Sequence, residues 1–174
     1  MKVVLVTGGI ASGKSRVCRY LESKGFPVYD CDSRTKGLYS SVRGLRRKVE
    51  KAIGTSLDHA EVIFSDESKR LALEAVVYPE VLKDIRRWMA RQDGEVVFVE
   101  SAIALNKPQF DGLFDAVLLV TAPLEARLAR DPRVAARLQS QQEIDPSRAD
   151  WVVCNDSDLG TLYKKIDEIT ERIS

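Results

Sequence analysis

The chain opens Lys2-Val3-Val4-Leu5-Val6-Thr7 and continues Gly8-Gly9-Ile10-Ala11-Ser12-Gly13-Lys14-Ser15, and the junction between these two stretches decides the fold. Residues 2–7 are apolar or β-branched at nearly every position, as a parallel strand buried on both faces requires. Residues 15–24 then carry Val17, Tyr20 and Leu21 at helical spacing. Between them, residues 8–15 fit G-x-x-x-x-G-K-[ST], the spacing of a phosphate-binding loop that joins a strand to a helix. Gly8, Gly9 and Gly13 lack a Cβ, so successive backbone N–H groups can curl around a polyphosphate whose charge also meets a helix N-terminus. Lys14 supplies a point charge to the β and γ phosphates, and Ser15 a small hydroxyl for phosphate-bound Mg²⁺. The expected nucleotide-binding residues are therefore Gly9, Ile10, Ala11, Ser12, Gly13, Lys14 and Ser15, with Ser15 as the metal ligand.

Outward from this junction, strands and helices alternate. Phe26–Asp30 reads as a second strand, ending on the carboxylates Asp30 and Asp32. Residues 34–53 read as a helix with Arg43, Arg46, Arg47 and Lys48 in close succession, stopped by Gly54. Ser65-Asp66-Glu67-Ser68 caps a longer helix to Ala90, its apolar face running from Leu71, Leu73 and Val76 to Ile85, Trp88 and Met89, with a kink or brief break at Pro79. Glu95–Glu100 and Phe114–Val120 read as buried strands, Pro123–Arg130 and Arg133–Glu143 as helical pieces, and Ala149–Cys154 as the last strand. Asp156-Ser157-Asp158 caps a C-terminal helix that turns Leu162, Ile166, Ile169 and Ile173 inward. The expected class is α/β, a three-layer, doubly wound parallel sheet of five strands with ligands at the C-terminal strand ends.

Composition narrows the function. The chain's 174 residues suit one well-buried core. Lys plus Arg number 27 against 26 Asp plus Glu, so the net charge of +1 gives no pull toward nucleic acid or membrane, and neither is an expected partner. Three widely spaced cysteines and a single His59 offer no metal-ligand pattern, so a structural zinc site is not expected and the compartment should be reducing, hence cytoplasmic. The first apolar stretch is too short for a membrane span or signal peptide. A guanine-reading N-K-x-D is missing, since Asn106-Lys107-Pro108-Gln109 lacks the Asp, which argues against a GTPase. Motors and transporters are normally much larger, whereas small-molecule kinases are compact chains of this size with arginines on a closing flap.

Beyond the loop, ordered segments resemble the dephospho-CoA kinases, which phosphorylate the ribose 3′-hydroxyl of dephospho-CoA to give coenzyme A. Thr7–Ser15 looks like that family's T-G-G-I-x-S-G-K-S, and Gly25–Asp32 like its G-h-x-V-h-D-A-D, where h is apolar. Leu73–Pro79 is similar to L-E-x-I-x-H-P, Arg137–Gln141 to R-I-x-x-Q, and Ala149–Asn155 to A-D-x-V-I-x-N. The resemblance covers essentially the whole chain. It implies a P-loop kinase fold in one domain, residues 1–174, with a helical acceptor-binding insertion at about 33–92 and a lid at about 130–142.

The resemblance also implies roles. Asp32 would be the general base, Thr7 would sit beside the phosphate path with Lys14, and Arg130 would be the flap arginine, with Arg133 and Arg137 as rivals or additions. Asn155 would lie near the adenine of ATP. Asp30 and Glu100 are weaker candidates for orienting Mg²⁺ through water, and Asp30 serves equally as a helix cap. ATP and Mg²⁺ are the implied cofactors, dephospho-CoA the implied acceptor, and a monomer is expected. The pattern is broken in three places: Tyr78 stands where the family has His, residues 32–64 form a shortened stretch, and the flap is shorter. A kinase for another small hydroxyl acceptor, or a binding-only regulator of kinase descent, is the alternative reading. Retention of Asp32 favours the enzyme, because a binding module has no need of a base.

Overall fold

In a computed structural model, which describes residues 1–138 and 143–173 apart from the side chains of Phe64 and Arg137, the apolar stretches form one sheet. Its strands are β1 (Lys2–Thr7), β2 (Val28–Asp30), β3 (Val96–Glu100), β4 (Ala116–Thr121) and β5 (Trp151–Cys154), in the order β2-β3-β1-β4-β5. The helices are α1 (Lys14–Ser23), α2 (Cys31–Ser41), α3 (Leu45–Ile53), α4 (Ala60–Ser65), α5 (Glu67–Met89), α6 (Leu124–Arg130), α7 (Arg133–Arg137) and α8 (Leu159–Ile173). β1 runs parallel to β3, with Lys2 opposite Val96, and parallel to β4, with Val4 opposite Ala116; β4 is parallel to β5. The five-stranded α/β architecture expected from the alternation is the one observed.

The chain divides into two compact units, Met1–Tyr29 with Gln92–Ser174, and Asp30–Arg91. In the first, one sheet face presents Val4, Val6, Phe98, Leu118, Val120 and Val153 to Val17 and Leu21 of α1 and to Leu162 and Ile166 of α8. The alternate residues Leu5, Val97, Val99 and Leu119 are buried too, so both faces are covered, as continuous apolar strands demand. After β1 the chain leaves for β2 at one edge, and after β4 it leaves for β5 at the other. The reversal opens a crevice at the C-terminal ends of β1 and β4, the place where open α/β sheets take their ligands.

The second unit is helical. Residues 34–53 are two helices rather than one, because Val42 is extended and Gly44, at φ 77°, caps the start of α3. α4, which the sequence pattern did not announce, precedes α5. Asp66 caps α5 by accepting from the Lys69 N–H at 3.1 Å, and α5 runs unbroken through Pro79. Pro79 and Ala75, whose carbonyl loses its helical donor, are both exposed. The buried face of α5 is Glu74, Val77, Tyr78, Val81 and Ile85, while Leu71, expected inside, is 52% exposed. Among the described residues no helix is long and apolar enough to cross a membrane.

Candidate active site

β1 ends at Thr7 and α1 begins at Lys14, so the glycine loop sits where the crevice opens. Gly8 lies at φ 148°, and a Cβ there would stand 2.1 Å from the Val120 carbonyl oxygen of β4. Gly13 lies at φ 108°, and its Cβ would stand 2.3 Å from Asn155 Nδ2. Glycine is therefore demanded by backbone conformation and by close packing together. Ala11 also takes a positive φ, 60°, without being glycine.

Five successive loop carbonyls are each met by a side-chain donor. Lys14 Nζ donates to the Gly8 and Gly9 oxygens at 2.9 and 3.0 Å. Arg127 Nε donates to the Ile10 oxygen at 3.0 Å, Arg130 Nη1 to the Ala11 oxygen at 3.1 Å, and Asn155 Nδ2 to the Ser12 oxygen at 3.0 Å. A trans peptide holds its C=O and the next N–H in opposite directions, so each bond also aims one N–H to the opposite side. Ser15 Oγ donates to Glu100 Oε1 at 2.9 Å, which pairs a small hydroxyl with a carboxylate beside the loop. Among the described residues no group of three acidic, His or Cys side chains converges to hold a metal without a ligand's help. The donor set suits a cation that arrives on phosphates, with Ser15 as one oxygen ligand and Glu100 behind it. Thr7 Oγ1 and Ser12 Oγ are buried with no hydrogen-bond partner among the described residues.

Of the residues singled out from sequence, Thr7, Gly9 to Ser15, Arg130 and Asn155 are thus brought together in one compact unit. Asn155 is 4% exposed, and its side-chain amide donates to the loop. Arg130 also donates from Nη2 to the Asn155 carbonyl at 3.3 Å. Arg133 is engaged locally, its guanidinium on Asp131 at 2.7 Å. The side chain of Arg137, and the Gln139–Gln141 part of the motif that follows it, lie outside the described residues. Sequence reading missed Arg127 altogether. The signal was present, since a helix following β4 carries its arginines toward the crevice, but Arg127 falls outside the quoted motifs.

The remaining carboxylates lie in the other unit. Asp30 caps α2, accepting from the Ser33 N–H at 3.0 Å and the Ser33 hydroxyl at 2.6 Å. Asp32 is exposed in the first turn of α2. Tyr78 is buried on α5 one turn from Glu74; burial first, and the Glu74 carboxylate second, push its phenol far above the ordinary range. A hollow of about 470 Å³ in the same unit is lined by Tyr39, Arg43, Gly44, Arg46, Arg47 and Glu50. Arg46 is tied there to Glu50 at 3.1 Å and to Asp58 at 2.8 Å.

Residues 2–160 match the family model of the dephospho-CoA kinases. A dephospho-CoA kinase of Thermus thermophilus is 33% identical, over 99% of this chain and 92% of its own length. One from Porphyromonas gingivalis is also 33% identical, over 89% and 86% of the two chains. A crystal structure of a Thermus thermophilus protein superimposes with a TM-score of 0.80 at 31% identity, covering 99% of this chain and 98% of the other.

Proposed function

Since the chain belongs to the dephospho-CoA kinase family, we propose that it moves the γ-phosphate of MgATP to dephospho-CoA with Asp32 as general base and the Gly8–Ser15 loop as phosphate holder. The reaction is a phosphotransfer to an alcohol: the ribose 3′-hydroxyl loses its proton, its oxygen bonds to the γ-phosphorus, and the bond to the β-phosphate bridging oxygen breaks to give coenzyme A and ADP. Neither another acceptor nor a binding-only role is favoured. The observation that carries the reading is the loop itself, with Lys14, Ser15 and Glu100 arranged for a metal-bearing polyphosphate.

Each residue then has a task. Backbone N–H groups of the loop hold the phosphates, and Lys14, whose ammonium donates to the Gly8 and Gly9 carbonyls, is the cation that meets them. Mg²⁺, held by Ser15 and through water by Glu100, would neutralise charge on the phosphates. Asp32, an exposed carboxylate, accepts the proton of the acceptor hydroxyl. Arg130 leaves the Ala11 and Asn155 carbonyls to meet the charge that develops on the transferred group, beside Thr7. Asn155 flanks the nucleotide by way of its contact with the loop. We propose further that residues 33–92 carry the acceptor, that residues 130–142 close as a lid, and that the protein is a cytoplasmic monomer acting without nucleic acid or membrane. The near-neutral charge and three free cysteines support the last point.

A coupled ADP-release assay with MgATP, with and without dephospho-CoA, tests this, with mass analysis of the product. Acceptor-dependent ADP release and a product heavier by one phosphate are expected; nucleotide binding without acceptor-dependent turnover would overturn the assignment. Asp32→Asn should bind ATP normally and lose about 100-fold or more in kcat. Near-parental turnover in that variant would remove Asp32 from the base role.

A further inference from the structure

Arg127, Arg130 and Asn155 grip the phosphate loop, and Arg127 is the more deeply set of the two arginines. It is 8% exposed, on the second turn of α6, whereas Arg130 one turn later is largely open to solvent. Its Nε donates to the Ile10 oxygen at 3.0 Å, and Nη1 reaches Glu143 Oε1 at 3.3 Å. The guanidinium lies directly over Gly9: a Cβ on that residue would stand 2.4 Å from Nη2 and 2.9 Å from Cζ. A side chain at Gly9 would therefore have to displace the Arg127 guanidinium. The contact also falls where the loop is strained, since the residue after Ile10 is Ala11 at φ 60°.

We infer that Arg127 is a positioning residue for nucleotide binding, whose guanidinium clamps the loop at Gly9 and Ile10 and so holds the Ala11 N–H toward the polyphosphate. The inference rests on the reading of the loop as the ATP site. Its physical basis is the planar trans peptide: with the Ile10 C=O pinned to Arg127, the Ala11 N–H must point the other way. A buried guanidinium offers this at low entropic cost, because its fork is rigid and packing already orders the stem. Without it, Ala11 is free to relax from its positive φ, and the loop must be reordered each time nucleotide binds. Arg127 is distinct in kind from a flap arginine. It acts on nucleotide in the ground state, through backbone, and touches no transferring atom.

The distinction can be measured. Arg127→Ala should raise the Kd of ATP and of ADP together, by about tenfold or more, the scale of one lost charge-assisted hydrogen bond. Its kcat with dephospho-CoA should stay within about threefold, since binding is lost equally from ground and transition states. Millimolar methylguanidinium should restore much of the lost affinity, because the truncation leaves a space of its shape. Gly9→Ala should copy Arg127→Ala, and the double variant should bind nucleotide no more weakly than about twofold below the worse single, as residues acting through one contact do.

Two results would overturn the proposal. One is a kcat lower by about 100-fold with ADP affinity intact, which would make Arg127 a group acting on the developing charge. The other is a lower melting midpoint with nucleotide affinity unchanged at 25 °C, which would make it structural only. Should Arg127→Ala not fold, Arg127→Met retains the packed stem and removes the donors, and the same measurements apply. Lys14→Ala separates the two layers of the argument: if it binds ATP as tightly as the parent, the nucleotide site itself is misassigned, whatever Arg127 does.

Discussion

Two aspartates two positions apart stand in different settings, Asp32 exposed in the first turn of α2 and Asp30 just before it. Asp30 is occupied as the cap of α2, accepting from both the N–H and the hydroxyl of Ser33. Asn caps helices as well as Asp, so Asp30→Asn should keep thermal stability within about 0.5 kcal/mol, while Asp30→Ala should cost about 1 kcal/mol by chemical denaturation. Gly8 is the most constrained glycine of the loop, because the atom that its Cβ would strike is backbone of the neighbouring strand and not a side chain that can move. Gly8→Ala should destabilise the protein by about 2 kcal/mol or more and abolish ATP binding in calorimetry. The converse holds at Ala11, where glycine would remove the left-handed strain. Ala11→Gly should leave stability unchanged or raise it by up to about 1 kcal/mol.

Among the elements, α1 and α8 are joined outside the core by a polar staple. Tyr20 stacks on Tyr163 with ring centroids 3.9 Å apart, and its hydroxyl meets both Asp167 oxygens at 2.8 and 2.9 Å. Lys24 reaches the same carboxylate at 3.2 Å. The Tyr20 hydroxyl first, and Lys24 with it, hold the Asp167 carboxyl below its ordinary range, while Asp167 raises both Tyr20 and Lys24. A depressed carboxyl contributes stability above its unfolded pKa, about 3.9, and loses it as pH falls through the folded value; raised groups contribute below about pH 10 and lose it as pH climbs. The staple is therefore complete from about pH 4 to 10, and Asp167→Asn should flatten the acid limb of a melting-midpoint profile. An unchanged acid limb would show that the staple adds nothing.

α5 shows where element-level reading succeeds and where it slips. The cap at Asp66 and the length to Met89 were legible, because capping side chains and apolar periodicity act within a few residues. The inward face was read correctly at Val81 and Ile85 but slipped in the first half of the helix, toward Leu71 and away from Glu74, Val77 and Tyr78. Hydropathy cannot foresee a carboxylate and a phenol that satisfy each other once buried. Likewise, nothing in the basic run of residues 34–53 marked the break before Gly44 strongly enough to outweigh its helical spacing.

At the scale of the whole molecule, each compact unit carries one tryptophan, Trp88 in Asp30–Arg91 and Trp151 in the sheet unit. The loop belongs to the unit of Trp151. In a Trp88→Phe variant, MgATP at a hundredfold excess over its Kd adds about 2.7 kcal/mol to that unit, which should raise the fluorescence-detected midpoint by about 5–10 °C. A midpoint that ignores nucleotide would mean that the loop does not hold it. The strand, the glycine loop, the helix after it and the parallel α/β class could all be read before any coordinates, since each depends on contacts within a few residues or on burial of continuous apolar runs. Ser15, Lys14 and the glycines were legible for the same reason. The clamp of Arg127, Arg130 and Asn155 on three consecutive carbonyls was not, because 117, 119 and 143 positions separate the partners and only sheet order brings the ends of β4 and β5 beside the end of β1. Local chemistry is written along the chain. Which distant side chain meets which carbonyl is set by strand order and packing, and those exist only once the sheet has closed around its core.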